Sequence, residues 1–304
     1  MSIKKFDSAI VFGEVLFDVF PGNKRVIGGA PFNVACHLSE FGQNPLFVSK
    51  IGNDDPGREV VRMMDNRSVS ISGLQRDEQR MTGVVKVSIE NHEPSYEIKN
   101  NVAYDFIEPL GDGLISSSNR KILYHGTLAV RNSVSRSTLY DLARMENTAV
   151  FCDVNLRDPW WNNDLLRDIL DWCSYLKVNE DELKKVCDIE GFDEGLPLED
   201  LALKLSRKRG FKCLIVTLGS RGAMLLPHNS EQMFAPSPEV SDFKDSVGAG
   251  DAFSSVALLG IIKGWEWSDI LHRAVYFAAR MCANAGAVPN DRELYEEVRE
   301  IWRL

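Results

Sequence analysis

The chain has 304 residues, 44% of them apolar and 26% charged, with a net charge of −9 at pH 7. That length holds one large α/β domain or two modest ones, and the apolar share supplies a sizeable core, which excludes a disordered chain. The acidic balance argues against a nucleic-acid-binding surface, which needs basic residues to neutralise phosphates.

The opening "MSIKKFDSAIVFGEV" meets a charge too soon for a signal peptide. No apolar run approaches the roughly 18 residues of a membrane span, so the expected location is the cytoplasm. Cys36, Cys152, Cys173, Cys187, Cys213 and Cys282 form no C-x-x-C pair, and several lie in apolar runs such as "AVFCDV" and "FKCLIV", as reduced core residues would. The five histidines form no H-E-x-x-H cluster, so a transition metal held by the protein is not expected.

Short β-branched runs alternate with amphipathic stretches along the chain. Strands are expected at "AIVFGE" from 9, "PLFVSKIG" from 45, "KILYHG" from 121, "TAVFCDV" from 148, "SYLKVN" from 174, "KCLIVTLG" from 212 and "GAMLLP" from 222. Helices are expected at about 31 to 41, 56 to 66, 135 to 146, 162 to 173, 179 to 187 and 197 to 209, with a mostly helical end from 250. This alternation predicts a doubly wound α/β fold with a mainly parallel sheet and helices on both faces. From Thr82 to Asp105 the rhythm changes to period two on either side of "ENHEPS", an antiparallel hairpin that is either an edge decoration or a flap over a pocket. Without internal repeats or a low-complexity linker, one domain with a small flap is the simplest partition.

Two nucleotide fingerprints are absent. "GNDDPGRE" from 52 puts Arg58 where a Walker loop needs lysine, and no G-x-G-x-x-G opens the first helix, which counts against a dehydrogenase. "GGAPFNVACHLSEFG", Gly28 to Gly42, is a small-residue turn entering a helix, with Pro31 near its first turn and Asn33 able to donate to and accept from hydroxyls. A tight strand-to-helix turn is the plainer reading of the same residues. "KDSVGAGDAF", Lys244 to Phe253, sets Gly248, Ala249 and Gly250 directly before Asp251 and an apolar run. A helix starting there points unpaired N–H groups at an anion with a carboxylate beside it, unless Asp251 merely caps the helix.

"GEVLFDVFPG", the "GGAPFN" turn, "DVNLRDPWW", "KVNEDEL", "TLGSRGA" and "DSVGAGDAF" follow one another in the order found in ribokinase-like (PfkB) sugar kinases, and the resemblance covers essentially the whole chain. It implies an ATP-dependent sugar kinase with a single ribokinase-like domain over 1–304 and a β lid formed from about 14–30 and 82–107. It further implies that Asp251 is the general base on a sugar hydroxyl, with backbone N–H groups of Gly248, Ala249 and Gly250 stabilising the phosphoryl group. Sugar contacts are implied for Asp18, Gly28, Gly29, Asn33 and Arg157, although an arginine beside two tryptophans is also read as a stacked surface cluster. Nucleotide contacts are implied for Asn179, Thr217, Gly219, Gly222 and, in "ANAGAV", Asn284. Glu182 is implied to organise Mg2+ through water, and Asp245 with the Val247 carbonyl to hold a monovalent cation, K+. As plainer readings, Asn179 caps a helix, and "TLGSRGA" is a β-turn. Ala30 and Pro31 in "GGAPFN" depart from ribokinase proper, and "EPSYEIKNNVAYDFI" resembles fructokinase lids, whose edges also serve in homodimers. Fructokinase is therefore the expected activity, with 2-keto-3-deoxygluconate kinase or another PfkB sugar kinase, and a silent sugar-binding sensor, as alternatives.

Overall fold

Buried β-branched and aromatic runs decide the centre of the molecule. The computed structural model describes residues 5–90, 93–111, 113–193, 195–228 and 230–304; Met1 to Lys4, and Asn91 and His92 in the expected hairpin turn, lie outside them. In chain order the first part runs β1 (Ser8–Phe12), β2 (Leu16–Val19), β3 (Arg25–Gly28), α1 (Ala30–Glu40), β4 (Leu46–Gly52), α2 (Asp55–Asn66), β5 (Leu74–Asp77), β6 (Gly83–Glu90) and β7 (Glu93–Ile98). It continues through β8 (Lys121–His125), α3 (Ser133–Arg144), β9 (Thr148–Asp153), α4 (Asn163–Trp172), β10 (Tyr175–Asn179), α5 (Glu180–Ile189), α6 (Leu198–Arg209) and β11 (Cys213–Thr217). The last part holds β12 (Ala223–Pro227), β13 (Met233–Ala235), α7 (Ala249–Lys263), α8 (Trp267–Met281) and α9 (Glu293–Trp302).

Among the described residues, nine strands form one sheet in the order β13-β12-β11-β10-β9-β8-β1-β4-β5. Its pairings are parallel except where β12 meets β11 and β13. The central strands alternate their side chains between two cores. Ile10, Leu123, Val150 and Leu176 pack with Leu139, Leu166, Leu183 and Leu205 of α3, α4, α5 and α6. Val11, Tyr124, Phe151 and Ile215 pack on the opposite face with Val34, Met64, Val256, Phe277 and Val298 of α1, α2, α7, α8 and α9. Strands covered on both faces read as nearly continuous apolar runs, which is why these were legible. β5 and β13 were not expected as strands; they are short, and "LQRD" of β5 carries the charges of an edge strand, whereas β2 and β3 fall within the 14–30 segment expected to be β.

From β1 the chain builds toward β4 and β5 on one side, then returns to β8 on the other. Such a reversal opens a crevice at the carboxyl ends of the strands, where ligands bind in open α/β sheets. A second, four-stranded sheet in the order β3-β2-β6-β7 starts from that edge, just beyond β1. β2 and β6 pair in parallel at its centre, and β3 and β7 flank them antiparallel. Its base packs through Leu16, Val85, Val102, Tyr104 and Leu128.

A buried cation ties that base down. Arg131 donates to both oxygens of Asp105 at 2.7 and 2.9 Å and to the Lys99 carbonyl at 2.6 Å, with its guanidinium 4.3 Å from the Trp160 ring centre. Removing one partner of a buried pair strands the other, at a cost of about 3–5 kcal/mol. Arg131→Ala is therefore expected to lower the urea midpoint by an amount corresponding to about 3 kcal/mol; an unchanged midpoint would show that the pair contributes nothing.

Candidate active site

Two helix starts face each other at the crevice. α7 begins after Gly248, whose φ of 77° is left-handed and where a Cβ would lie 2.4 Å from Ala287 Cα, so only glycine fits. The Ala249 N–H donates to the Ser246 carbonyl at 3.1 Å. Among the described residues, the N–H groups of Gly248, Gly250 and Asp251 find no acceptor, so they remain free for an anion. α1 begins after Gly29, with a φ of 109° and the Glu14 carbonyl 2.6 Å from where a Cβ would stand.

Asn33, in the first turns of α1, joins the two starts. Its Nδ2 donates to Asp251 Oδ2 at 2.7 Å. Burial pushes the Asp251 carboxyl up to about 6 and neighbouring Asp153 adds to this, while the Asn33 hydrogen bond, Lys177 and Arg157 oppose it. Asp18 lies over Gly28, whose Cβ position is 3.4 Å from Asp18 Oδ2. Burial raises the Asp18 carboxyl and Arg157 draws it back. Arg157 is exposed and exerts its charge on Asp18, Glu14 and Asp251. Stacking on the tryptophans falls to other cations: Arg131 covers Trp160, and Lys185 lies 5.3 Å from Trp161. The surface-stack reading of Arg157 is corrected accordingly.

The other residue group sits at the ends of β10 and β11, where Asn179 and Thr217 are register partners. Asn179 Oδ1 accepts the Glu182 N–H at 2.9 Å, and Glu182 returns an oxygen to the Asn179 N–H at 2.8 Å, a reciprocal helix cap. The other Glu182 oxygen accepts the Leu156 N–H at 2.9 Å. Among the described residues no three acidic, histidine or cysteine side chains gather as a metal cage. One buried carboxylate suits a Mg2+ held chiefly by phosphate and water. Gly219 and Gly222 turn β11 into β12, and Gly222, at φ 110°, passes so close to the Ala235 carbonyl that a Cβ would stand 2.0 Å from it. Asn284 donates to the Arg280 carbonyl at 3.0 Å and so closes α8. Asp245 accepts the Val247 N–H at 2.9 Å and the Gly286 N–H at 3.4 Å, tying the turn before α7 to the segment after α8.

Several polar groups beside the site escaped sequence reasoning. Lys177 and Asp153, register partners on β10 and β9, form a buried ion pair at 2.9 Å, and Ser254 of α7 donates to the same carboxylate at 2.7 Å. The available signal was a lone charge in each of two apolar strands, "SYLKVN" and "AVFCDV". Glu14, just past β1, is 3% exposed with Oε2 unpartnered, and burial raises its carboxyl to about 7.

Residues 15–293 match the model of the pfkB family carbohydrate kinases. The chain belongs to that family. It is therefore a phosphotransferase with the ribokinase-like fold. It is 30% identical over 286 residues to an uncharacterized sugar kinase of Pyrococcus horikoshii, covering 90% of this chain and 87% of that one. A fructokinase of Oryza sativa subsp. japonica is 28% identical over 275 residues, covering 84% and 80% of the two chains. The crystal structure of a fructokinase from Vibrio cholerae O395 with fructose, ADP and calcium bound shares the fold, with a TM-score of 0.77 at 24% identity over 96% of this chain and 99% of that one.

A carboxyl raised from 4.5 to about 7 contributes stability that is full below the unfolded value and lost as pH rises through the folded one. Glu14→Gln removes that loss. The variant is expected to be more stable than the parent at pH 8 by up to about 3 kcal/mol, with no such gain at pH 4, in thermal unfolding at both pH values.

Proposed function

We propose that this pfkB-family kinase transfers the γ-phosphate of ATP to a hydroxyl of fructose. The observation that carries the reading is the 2.7 Å contact between Asn33 and Asp251, which sets a carboxylate of raised basicity beside free N–H groups at a helix start. A base near neutrality and an anion-binding helix end are the two things phosphoryl transfer to an alcohol needs from a protein. Asp251 accepts the hydroxyl proton as that oxygen attacks, and the N–H groups around Gly248 to Gly250 hold the developing charge. Asp18 and Asn33 orient the sugar through its hydroxyls, with Gly28 and Gly29 giving it room. Asn179, Thr217, Gly219, Gly222 and Asn284 line the nucleotide's side. Glu182 would hold Mg2+ through water, which supplies charge neutralisation of the phosphates; Asp245 and the Val247 carbonyl would hold K+. The four-stranded sheet closes over the sugar as a lid and excludes water, and its two edges, where Val26 of β3 and Tyr96 of β7 are exposed, suit pairing with a second copy. The named fructokinase relative supports fructose as the acceptor.

Arg157 favours a second reading. An exposed guanidinium acting on Asp18 suits the carboxylate of an acid sugar such as 2-keto-3-deoxygluconate.

ADP release from ATP and Mg2+ is to be measured against fructose, ribose, 2-keto-3-deoxygluconate, tagatose and adenosine. Fructose is expected to support the fastest turnover; a faster reaction with 2-keto-3-deoxygluconate would replace it as the assigned acceptor, and none with any of the panel would point to an unlisted acceptor or to a sugar-binding sensor, with sugar binding by calorimetry deciding between them. Asp251→Asn should lower kcat by between about 10²- and 10⁴-fold while sugar still binds. Because the base works ionised, kcat/KM should fall as pH drops through about 6, and a rate flat from pH 8 to pH 5 would remove Asp251 from that role.

A further inference from the structure

Lys177 has no part in the mechanism above, yet it stands against its centre. Its side chain leaves β10 on the face covered by α7, and the residue is 6% exposed. Two N–H bonds of the ammonium go to Asp153, at 2.9 Å to each oxygen. An ammonium has three donors, and among the described residues the third finds no acceptor. Nζ lies 3.4 Å from the Cβ position of Gly250, beside one of the free N–H groups at the start of α7. Asp153 is held from several sides: besides Lys177 its Oδ2 accepts from Ser254 Oγ at 2.7 Å and from Tyr124 OH at 3.4 Å, and it is 1% exposed.

The placement is electrostatically odd for a structural ion pair. A helix start is the positive end of its dipole and repels a cation. Burial also acts against the charged ammonium, but Asp153 from β9, Glu182 from α5 and Asp251 from α7 outweigh it and keep the lysine protonated. These carboxylates already offset the charge, but among the described residues the spare ammonium N–H and the free N–H groups at the helix start both lack an acceptor, and an anion with several oxygens entering between them supplies one to each. The terminal phosphate of a nucleoside triphosphate is such an anion.

We propose that Lys177, held by Asp153, is a catalytic residue that donates its remaining N–H to the terminal phosphate, completing the charge begun by the N–H groups at the start of α7. The proposal rests on the kinase reading above. In the transfer, the acceptor oxygen forms the new O–P bond and its proton goes to Asp251. The bond from phosphorus to the bridging oxygen breaks, and its electron pair leaves with ADP. Lys177 keeps its protons throughout and stabilises the charge on the phosphoryl oxygens in transit.

The test compares Lys177→Met, Lys177→Arg and Ser254→Ala with the parent. Calorimetry measures binding of ADP and of the β,γ-imido analogue of ATP, without acceptor, and steady-state kinetics measures kcat and KM. The parent is expected to bind the triphosphate analogue more tightly than ADP. Lys177→Met should abolish that preference and lower kcat by about 10²-fold or more, with the sugar KM changed less than about threefold. Lys177→Arg should recover part of both. Ser254→Ala loosens the Asp153 anchor but keeps the ammonium, so it should lose stability and retain the preference. Since Lys177→Met leaves Asp153 unpaired, Lys177→Met/Asp153→Asn keeps the pocket neutral should the single variant fail to fold, and the same loss of preference is expected from it. A triphosphate preference that survives in Lys177→Met or in the neutral double variant, or that is absent from the parent, overturns the proposal. So does an equal loss in Ser254→Ala, which would assign Lys177 to structure alone. A parent that transfers phosphate to none of the sugars defeats the acceptor assignment, while the binding comparison still decides the role of Lys177.

Discussion

The hydrogen bond from Asn33 to Asp251 is the constraint on which the rest of the site depends, because it spans two helices that begin far apart in the chain and must start at the same place. Each start requires a glycine that no other residue can replace without a clash, Gly29 against the Glu14 carbonyl and Gly248 against Ala287. α1 and α7 therefore meet the crevice at fixed depth, and their packing against one another carries that depth into the core. A shift of either helix would separate the carboxylate from its partner and from the free N–H groups. The large sheet's reversal at β1 leaves room for a ligand where the two starts converge.

An acidic protein concentrates its unfavourable charges there. Glu14, Asp18 and Asp251 all have carboxyls raised by burial, and Arg157 exerts its charge on each of them. The buried Lys177–Asp153 pair lies against the same helix start from below. Burying like charges together costs stability in an empty site, and proteins keep such clusters where a ligand or a reaction makes use of them. The second sheet is held at the edge of this cluster by Arg131, whose bonds to Asp105 and Lys99 fix its base but not its outer edge, where Tyr96 is exposed.

The sheet's centre and its helices were legible because side chains buried on both faces leave unbroken apolar runs, as in "KILYH" and "CLIVT". The edge strands β5 and β13 were not, since a short half-exposed strand such as "LQRD" has no pattern that separates it from a loop; β2 and β3 were expected only through the family resemblance, with no periodicity of their own. The turns at Gly29 and Gly248 were legible because a left-handed backbone favours glycine, and Asn33 and Asp251 were named because they stand in the helix starts that follow those turns, at positions the family resemblance marks. Lys177 and Glu14 were passed over, although a lysine inside "YLKVN" is a buried charge by any reading.

From the chain alone came the alternating α/β order, the two small-residue helix starts and the acid beside one of them, each a matter of neighbours in sequence. Tertiary structure decided which groups meet. Only the parallel register of β9 and β10 sets Lys177 against Asp153, and only the packing of α7 on that face brings the ammonium to Gly250. The same holds for Arg131, which takes the Trp160 face and leaves Arg157 to act on Asp18. The physical reason is that local pattern reports the backbone and the degree of burial, whereas the partner of a charge is chosen by which elements the core presses together.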